Sequence, residues 1–126
     1  MLVEGDDLEE PIADELRGVL DGHIVLSRAL AGRGHYPAVD VPNSLSRLME
    51  RVVDDRQRAA AQAVRAHIAT YEQNRDLVAL GAYAHGSNPR LDAALARIDR
   101  IESFLRQDGH TACPLEHTLS ALHTLT

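Results

Sequence analysis

The chain has no lysine; all thirteen of its basic residues are arginine. That excludes a phosphate-binding loop of the form GxxxxGK[ST], whose Lys must reach the terminal phosphates of a nucleotide. Tryptophan is also absent, and the aromatic residues are Tyr36, Tyr71, Tyr83 and Phe104. A core drawn instead from Leu, Ala, Ile and Val is the usual material of packed helices. Positive charge is outnumbered, nineteen acidic residues to thirteen basic, for a net charge of −6. A nucleic-acid binder needs clustered positive charge, so that class is excluded. The lone Cys113 cannot make an internal disulfide and suits a reducing compartment. No apolar run approaches the roughly 20 residues that cross a bilayer. The start, MLVEGDDLEE, is acidic where a signal peptide would be basic.

What is present divides into two parts. Residues 1–47 read as alternating α/β pieces. Leu2-Val3 closes a short buried strand, and Glu4, Asp6, Asp7, Glu9 and Glu10 form an acidic loop after it. Pro11 opens a helix running to about Leu20, where its missing N–H costs nothing. Asp21-Gly22 ends that helix. His23 to Ser27 reads as a strand, and Arg28 to Ala31 as a helical turn that stops at Gly32-Arg33-Gly34. The two glycines are no dinucleotide fingerprint, since Pro37 takes the third glycine position. Tyr36 to Arg47, with Pro37 and Pro42, reads as irregular chain. Two strands alone are marginal in water, so residues 1 to about 40 are expected to be partly disordered or to pair with another copy.

The second part, 48–126, reads as a helical domain, all-helical from about Asp54. Ala61, Val64, Ile68 and Tyr71 recur at three- and four-residue steps, the mark of one buried helix face ending at Gly81. Asn88 caps a second helix, Pro89 takes its first turn, and Asp92 complements its dipole. Leu91, Leu95, Ile98, Ile101 and Leu105 then mark a second buried face, so the two helices form an antiparallel hairpin. A last short helix starts at Pro114 and buries Leu115, Leu119 and Leu122.

Few residues suggest chemistry by themselves. Arg47, in the polar run SLSR, reads as a surface ion pair. Tyr36 reads as a ring half-buried against Val39 and Val41, and the stretch Gly81 to Asn88 as an ordinary hairpin loop. His110, Cys113 and His117 give H-x₂-C-x₃-H, which lacks the paired cysteines of structural zinc sites, so no metal is expected. The acids of EGDDLEE share one solvated environment, whereas acid–base catalysis needs carboxylates in unlike surroundings. No nucleophile elbow and no H-E-x-x-H helix occurs.

Several blocks in a fixed order say more. VEGDDLEEPIADELRG, LDGHIVLSR, GHYPAVDV and SLSR are followed by G-A-Y-x₂-GS-x-PR-x-D and IESFLRQ, spanning Val3 to Gln107. Together they resemble the C-terminal part of the hexameric ATPases of type III secretion, virulence or flagellar, which are relatives of the rotary F-type ATPases. The tail after IESFLRQ departs most from that family, where it is usually acidic. The resemblance implies a mainly α fold. A C-terminal helical domain, 48–126, follows the last α/β pieces of a RecA-like nucleotide-binding domain, 1–47. It implies that Arg47 reaches across a subunit boundary to the nucleotide of a neighbour, and that Tyr36 covers the adenine of the subunit's own ATP. It also implies that the loop bearing Tyr83, His85 and Arg90 meets the central stalk, its neutral tip unlike the acidic tip of rotary ATPases.

For the intact protein the resemblance implies a homohexamer using ATP and Mg²⁺, with stalk, stator/regulator and effector-chaperone partners, at the cytoplasmic face of the inner-membrane export gate. The phosphate loop, the Mg²⁺-holding strand and the catalytic carboxylate are expected upstream of Met1, so this polypeptide alone is expected to be inactive, with no nucleotide bound. A stand-alone module binding chaperones or the stalk without ATPase activity is the alternative.

Overall fold

A computed structural model of the chain describes every residue except Met1, Glu4 and Asp6. Glu4 and Asp6, two members of the expected acidic loop, therefore lie outside the described residues. The first helix, α1 (Pro11–Val19), has Pro11 in its first turn and buries Ala13. Leu2 and Val3 are not in a strand, and Leu2 is fully exposed. Among the described residues no third strand is available to satisfy their backbone beside the two-stranded sheet.

That sheet corrects two further expectations. Strand β1 (Gly22–Leu26) pairs antiparallel with β2 (Val39–Ser46), so β1 finds its partner within the chain, and the segment read as irregular is a strand. Between them α2 (Arg28–Gly32) is capped by Ser27, whose hydroxyl accepts the Leu30 N–H. The pairing is interrupted. Gly22 faces Ser46 and His23 faces Leu45, but Val25 faces Asp40 and Leu26 faces Val39. Residues 41–44 thus bulge out of the ladder, and Pro42, which cannot donate to a ladder, sits inside the bulge.

After the short α3 (Met49–Val52) comes α4 (Asp55–Ala79), 25 residues long, or about 37 Å at the helical rise. Its cap is Asp54, whose carboxylate accepts the Gln57 N–H at 2.7 Å. Gly81, with φ of +66°, turns the chain out of it. Asn88 caps α5 (Pro89–Leu95) as its side chain suggested, accepting the N–H groups of Arg90 and Leu91. The second helix of the hairpin is not continuous, however, because α6 (Ile98–Leu105) starts afresh. Arg97 is the reason. Its N–H bonds to Ala94 O, one residue short of helical spacing, while its Nη1 takes the Ala93 carbonyl at 3.2 Å.

The last helix, α7 (Leu115–His123), starts where Pro114 predicts, but Leu115 is exposed and the buried residues are Leu122 and Leu125. The core joins Ala60, Val64 and Ile68 of α4 to Ile101, Leu122 and Leu125, with Val41, Phe104 and Leu105 packed against it. Leu91 and Ile101 are wholly buried, and burial of each such side chain contributes about 1.5–3 kcal/mol. The fold is mainly helical, with α4 as the member against which β2, α5, α6 and α7 pack.

Candidate functional site

Three candidate places lie on this frame, and the sheet separates two of them. Tyr36 precedes β2 and Arg47 follows it. Because the bulge lets eight residues of β2 run beside five of β1, the paired ends of β2 are about 13 Å apart, four strand steps. The two residues therefore flank opposite ends of the sheet.

The Tyr36 ring is exposed, 58% of its surface open. Its backbone is held: the Tyr36–Pro37 peptide is cis, and the Tyr36 carbonyl accepts the Gln107 N–H at 2.9 Å. Next to it, His35 is buried. The segment after α6 thus fixes the loop and leaves the ring face free.

Arg47 is also exposed. Its own N–H bonds to Asp21 O at 2.8 Å, and its Nη2 donates to the Arg17 carbonyl in the last turn of α1 at 3.3 Å. It opens onto a shallow recess with Asp14, Glu15, Arg17 and His23. The guanidinium is held by one long hydrogen bond at its tip, while its backbone is fixed at the strand end.

What fixes that strand end was not foreseen from the sequence. Ser44, the first serine of SLSR, donates its hydroxyl to Asp40 O at 2.6 Å and accepts the Val25 N–H at 2.9 Å. The Asp40 carboxylate accepts both the backbone and the side-chain N–H of Asn43. Arg65 of α4 donates one nitrogen to Pro42 O at 3.3 Å and Ser44 O at 2.9 Å. His23 Nε2 is 3.2 Å from Asn43 O and, facing a carbonyl, must carry the proton. Above the bulge, Leu30, His35, Ile68, Tyr71 and Ile98 help to line a cleft of about 240 Å³ between the sheet and the helices. The bridging role of Ser44 and the reach of Arg65 from α4 are recognisable only once the register is known.

The third place is the loop between α4 and α5. Within it, the Tyr83 ring turns inward. It is half-buried, with its hydroxyl donating to Asp92 Oδ1 at 2.7 Å and lying 3.1 Å from Asn88 O. Asp92 Oδ2 accepts the Gly86 N–H at 3.0 Å, and His85 Nε2 is 3.6 Å from Oδ1. Loss of water around the phenol raises the Tyr83 pKa above its ordinary value of 10.0; the hydrogen bond to Asp92 and its charge add to this, and Ser87 and Asn88 oppose it. The outward surface is instead Ala82, Ala84, His85, Ser87 and Arg90. Among the described residues no group of three or more His, Cys, Asp or Glu side chains is placed to hold a metal ion. Cys113 Sγ lies beside Thr118.

A nucleotide-binding fold's last α/β pieces, leading into a helical hairpin, define the class. Residues 1–46 match the ATP synthase alpha/beta family, nucleotide-binding domain, and residues 53–124 match the T3SS EscN ATPase C-terminal domain. The chain belongs to this family of type III secretion ATPase C-terminal domains. It is 48% identical over 126 residues to the Flagellum-specific ATP synthase of Treponema pallidum (strain Nichols), covering all of this chain and 28% of the relative. To the Type 3 secretion system ATPase of Pseudomonas savastanoi pv. phaseolicola it is 46% identical, with the same coverage. The assembled ATPase EscN of the enteropathogenic E. coli type III secretion system superposes with a TM-score of 0.94 at 38% identity, over 99% of this chain and 30% of that one. EscN in complex with its central stalk EscO superposes at 0.85, also at 38% identity, over 92% of this chain and 29% of that one. The chain thus spans less than a third of the length of these relatives.

Proposed function

We propose that this chain is the C-terminal portion of a homohexameric ATPase that energises protein export by type III secretion. Arg47 acts in trans on the nucleotide held by the neighbouring subunit. Its charge is permanent, and its planar fork meets phosphate oxygens with paired hydrogen bonds that strengthen as charge develops in the transition state. Such a group is worth on the order of 10³–10⁵ in rate. Tyr36 lays its open ring against the adenine of the subunit's own ATP, a contact tolerant of detail. The residues present suit these edges of a nucleotide site and no more. With no lysine in the chain, the phosphate cradle and Mg²⁺ belong to other parts of the intact protein, and the 126 residues alone do not turn over ATP.

The loop carrying Tyr83, His85 and Arg90 meets a central stalk protein, as the solved complex of the relative EscN with EscO suggests by analogy. Stator/regulator and effector-chaperone complexes complete the partners. The assembly works at the cytoplasmic face of the export gate, releasing chaperones and unfolding substrates.

The observation that carries this reading is an exposed guanidinium on a strand end whose backbone is firmly held. In the assembled intact enzyme, Arg47→Ala should lower kcat at least a thousandfold and leave nucleotide affinity nearly intact. Lost affinity with an unchanged rate per bound nucleotide overturns it. A second reading, an interaction module without ATPase activity, draws support from a helical core to which, among the described residues, the sheet contributes Val41 alone. Turnover in the intact protein excludes it.

A further inference from the structure

We propose that Arg65 is a positioning residue for Arg47: it locks α4, and with it the hairpin loop, to the strand that carries the guanidinium. Among the described residues, 41–44 have no partner on β1, so the carbonyls of the bulge lack the ladder donors that the rest of β2 enjoys. A buried carbonyl left unpaired costs about as much as a lost hydrogen bond, which bears on half-buried Ser44 more than on exposed Pro42 and Asn43. Three in succession are satisfied by side chains. Arg65 Nη2 takes Pro42 O and Ser44 O, and His23 Nε2 takes Asn43 O.

The grip on Ser44 O matters most. The hydroxyl of the same serine holds Val25 of β1 and Asp40 of β2, so moving its carbonyl moves the whole bulge. Arg47 is three residues further on, its N–H fixed to Asp21. A rotation of α4 therefore pulls on the backbone of Arg47 through a charge-assisted bond, with no flexible segment between. Arg65 also lies fourteen residues before Ala79, so the loop at the far end of α4 is about 21 Å away along a continuous helix. A partner that tilts the loop has a rigid arm on the strand end.

This rests on Arg47 being the trans-acting group, but its test needs no nucleotide, so the two can fail separately. Amide exchange and arginine Nε–H resonances are measured by NMR on the 126-residue chain. Arg65→Ala should speed exchange of the Val25 amide at least tenfold and shift both the backbone amide and the Nε–H of Arg47. Helix content and the Ile101 methyl resonances should stay in place. Both carbonyls are held by a single nitrogen, so Arg65→Lys should restore the native positions. Unmoved Val25 and Arg47 resonances in Arg65→Ala overturn the proposal. If Arg65→Ala does not fold, Arg65→Lys decides alone: native resonances support the single-nitrogen clamp, and displaced ones overturn it.

Discussion

The Tyr83 hydroxyl and the Asp92 carboxylate stand 2.7 Å apart, and this contact turns the loop's aromatic ring inward. Asp92 sits in the first turn of α5, a place that favours negative charge, and it also holds the Gly86 amide. Removing its charge should make the phenolate easier to form. Asp92→Asn is therefore expected to lower the Tyr83 pKa toward its ordinary value, though not fully, since loss of water around the phenol is the larger cause. Phenolate absorbance followed against pH, with Tyr83→Phe identifying which of the three tyrosines moves, measures this. An unchanged titration means Asp92 does not govern the loop.

Gly22 is closely approached by the facing strand. A Cβ there would lie 2.6 Å from the Leu45 carbonyl oxygen and 3.2 Å from Ser46 Cα, both of them backbone atoms of β2 rather than the end of a flexible side chain. Gly22→Ala should cost about 1–3 kcal/mol, as overpacking does. The damage should concentrate in β1 and β2, with faster exchange of the Arg47 amide and little change at Val64 or Ile68. Equal protection in both proteins would show that the strands separate at no cost.

The helical half was legible because it is built from local signals. Asp54, Asn88 and Pro114 mark the starts of α4, α5 and α7, and the spacing of Val64 and Ile68 marks the buried face. The break at Ala96-Arg97 was invisible, as no Gly or Pro announces it and the apolar repeat runs straight through. It comes from a side chain competing for the Ala93 carbonyl. Strand β2 was missed for the opposite reason: Pro42 is a breaker signal, yet the bulge places it where no ladder bond is required. Of the candidate site, the identities of Tyr36 and Arg47 came from motif order, not from any local physical signal. The clamp of Arg65 on Ser44, and the closing of Tyr83 onto Asp92, depend on tertiary geometry that residue spacing does not encode.

His67, half-buried on α4, has its pKa lowered from 6.5, chiefly by burial and secondarily by the charge of Arg97. The folded state therefore resists a proton that the unfolded chain accepts. Above the unfolded value both states are neutral there and the residue has no pH effect. As pH falls through 6.5 the unfolded state gains the proton first and stability is lost, down to the lowered folded value. The urea midpoint should fall as the pH drops through 6.5, and His67→Gln should flatten that slope. A slope unchanged in the variant would assign the pH dependence to another group.

Ile101 and Leu115 separate core from surface in the C-terminal third. Ile101 has no exposed surface and joins α6 to α4 and α7 in the central cluster, so Ile101→Ala leaves a cavity where the surrounding helices cannot collapse fully. It should cost about 2–5 kcal/mol. Leu115 begins α7 with 70% of its surface open, although its apolar character made it look like a core residue. Leu115→Ala should stay within about 0.5 kcal/mol of the parent. Urea unfolding of both variants gives the comparison directly. A large loss at Leu115 would mean that α7 packs through its first turn, and the placement of Leu122 and Leu125 as its buried contacts would then be wrong.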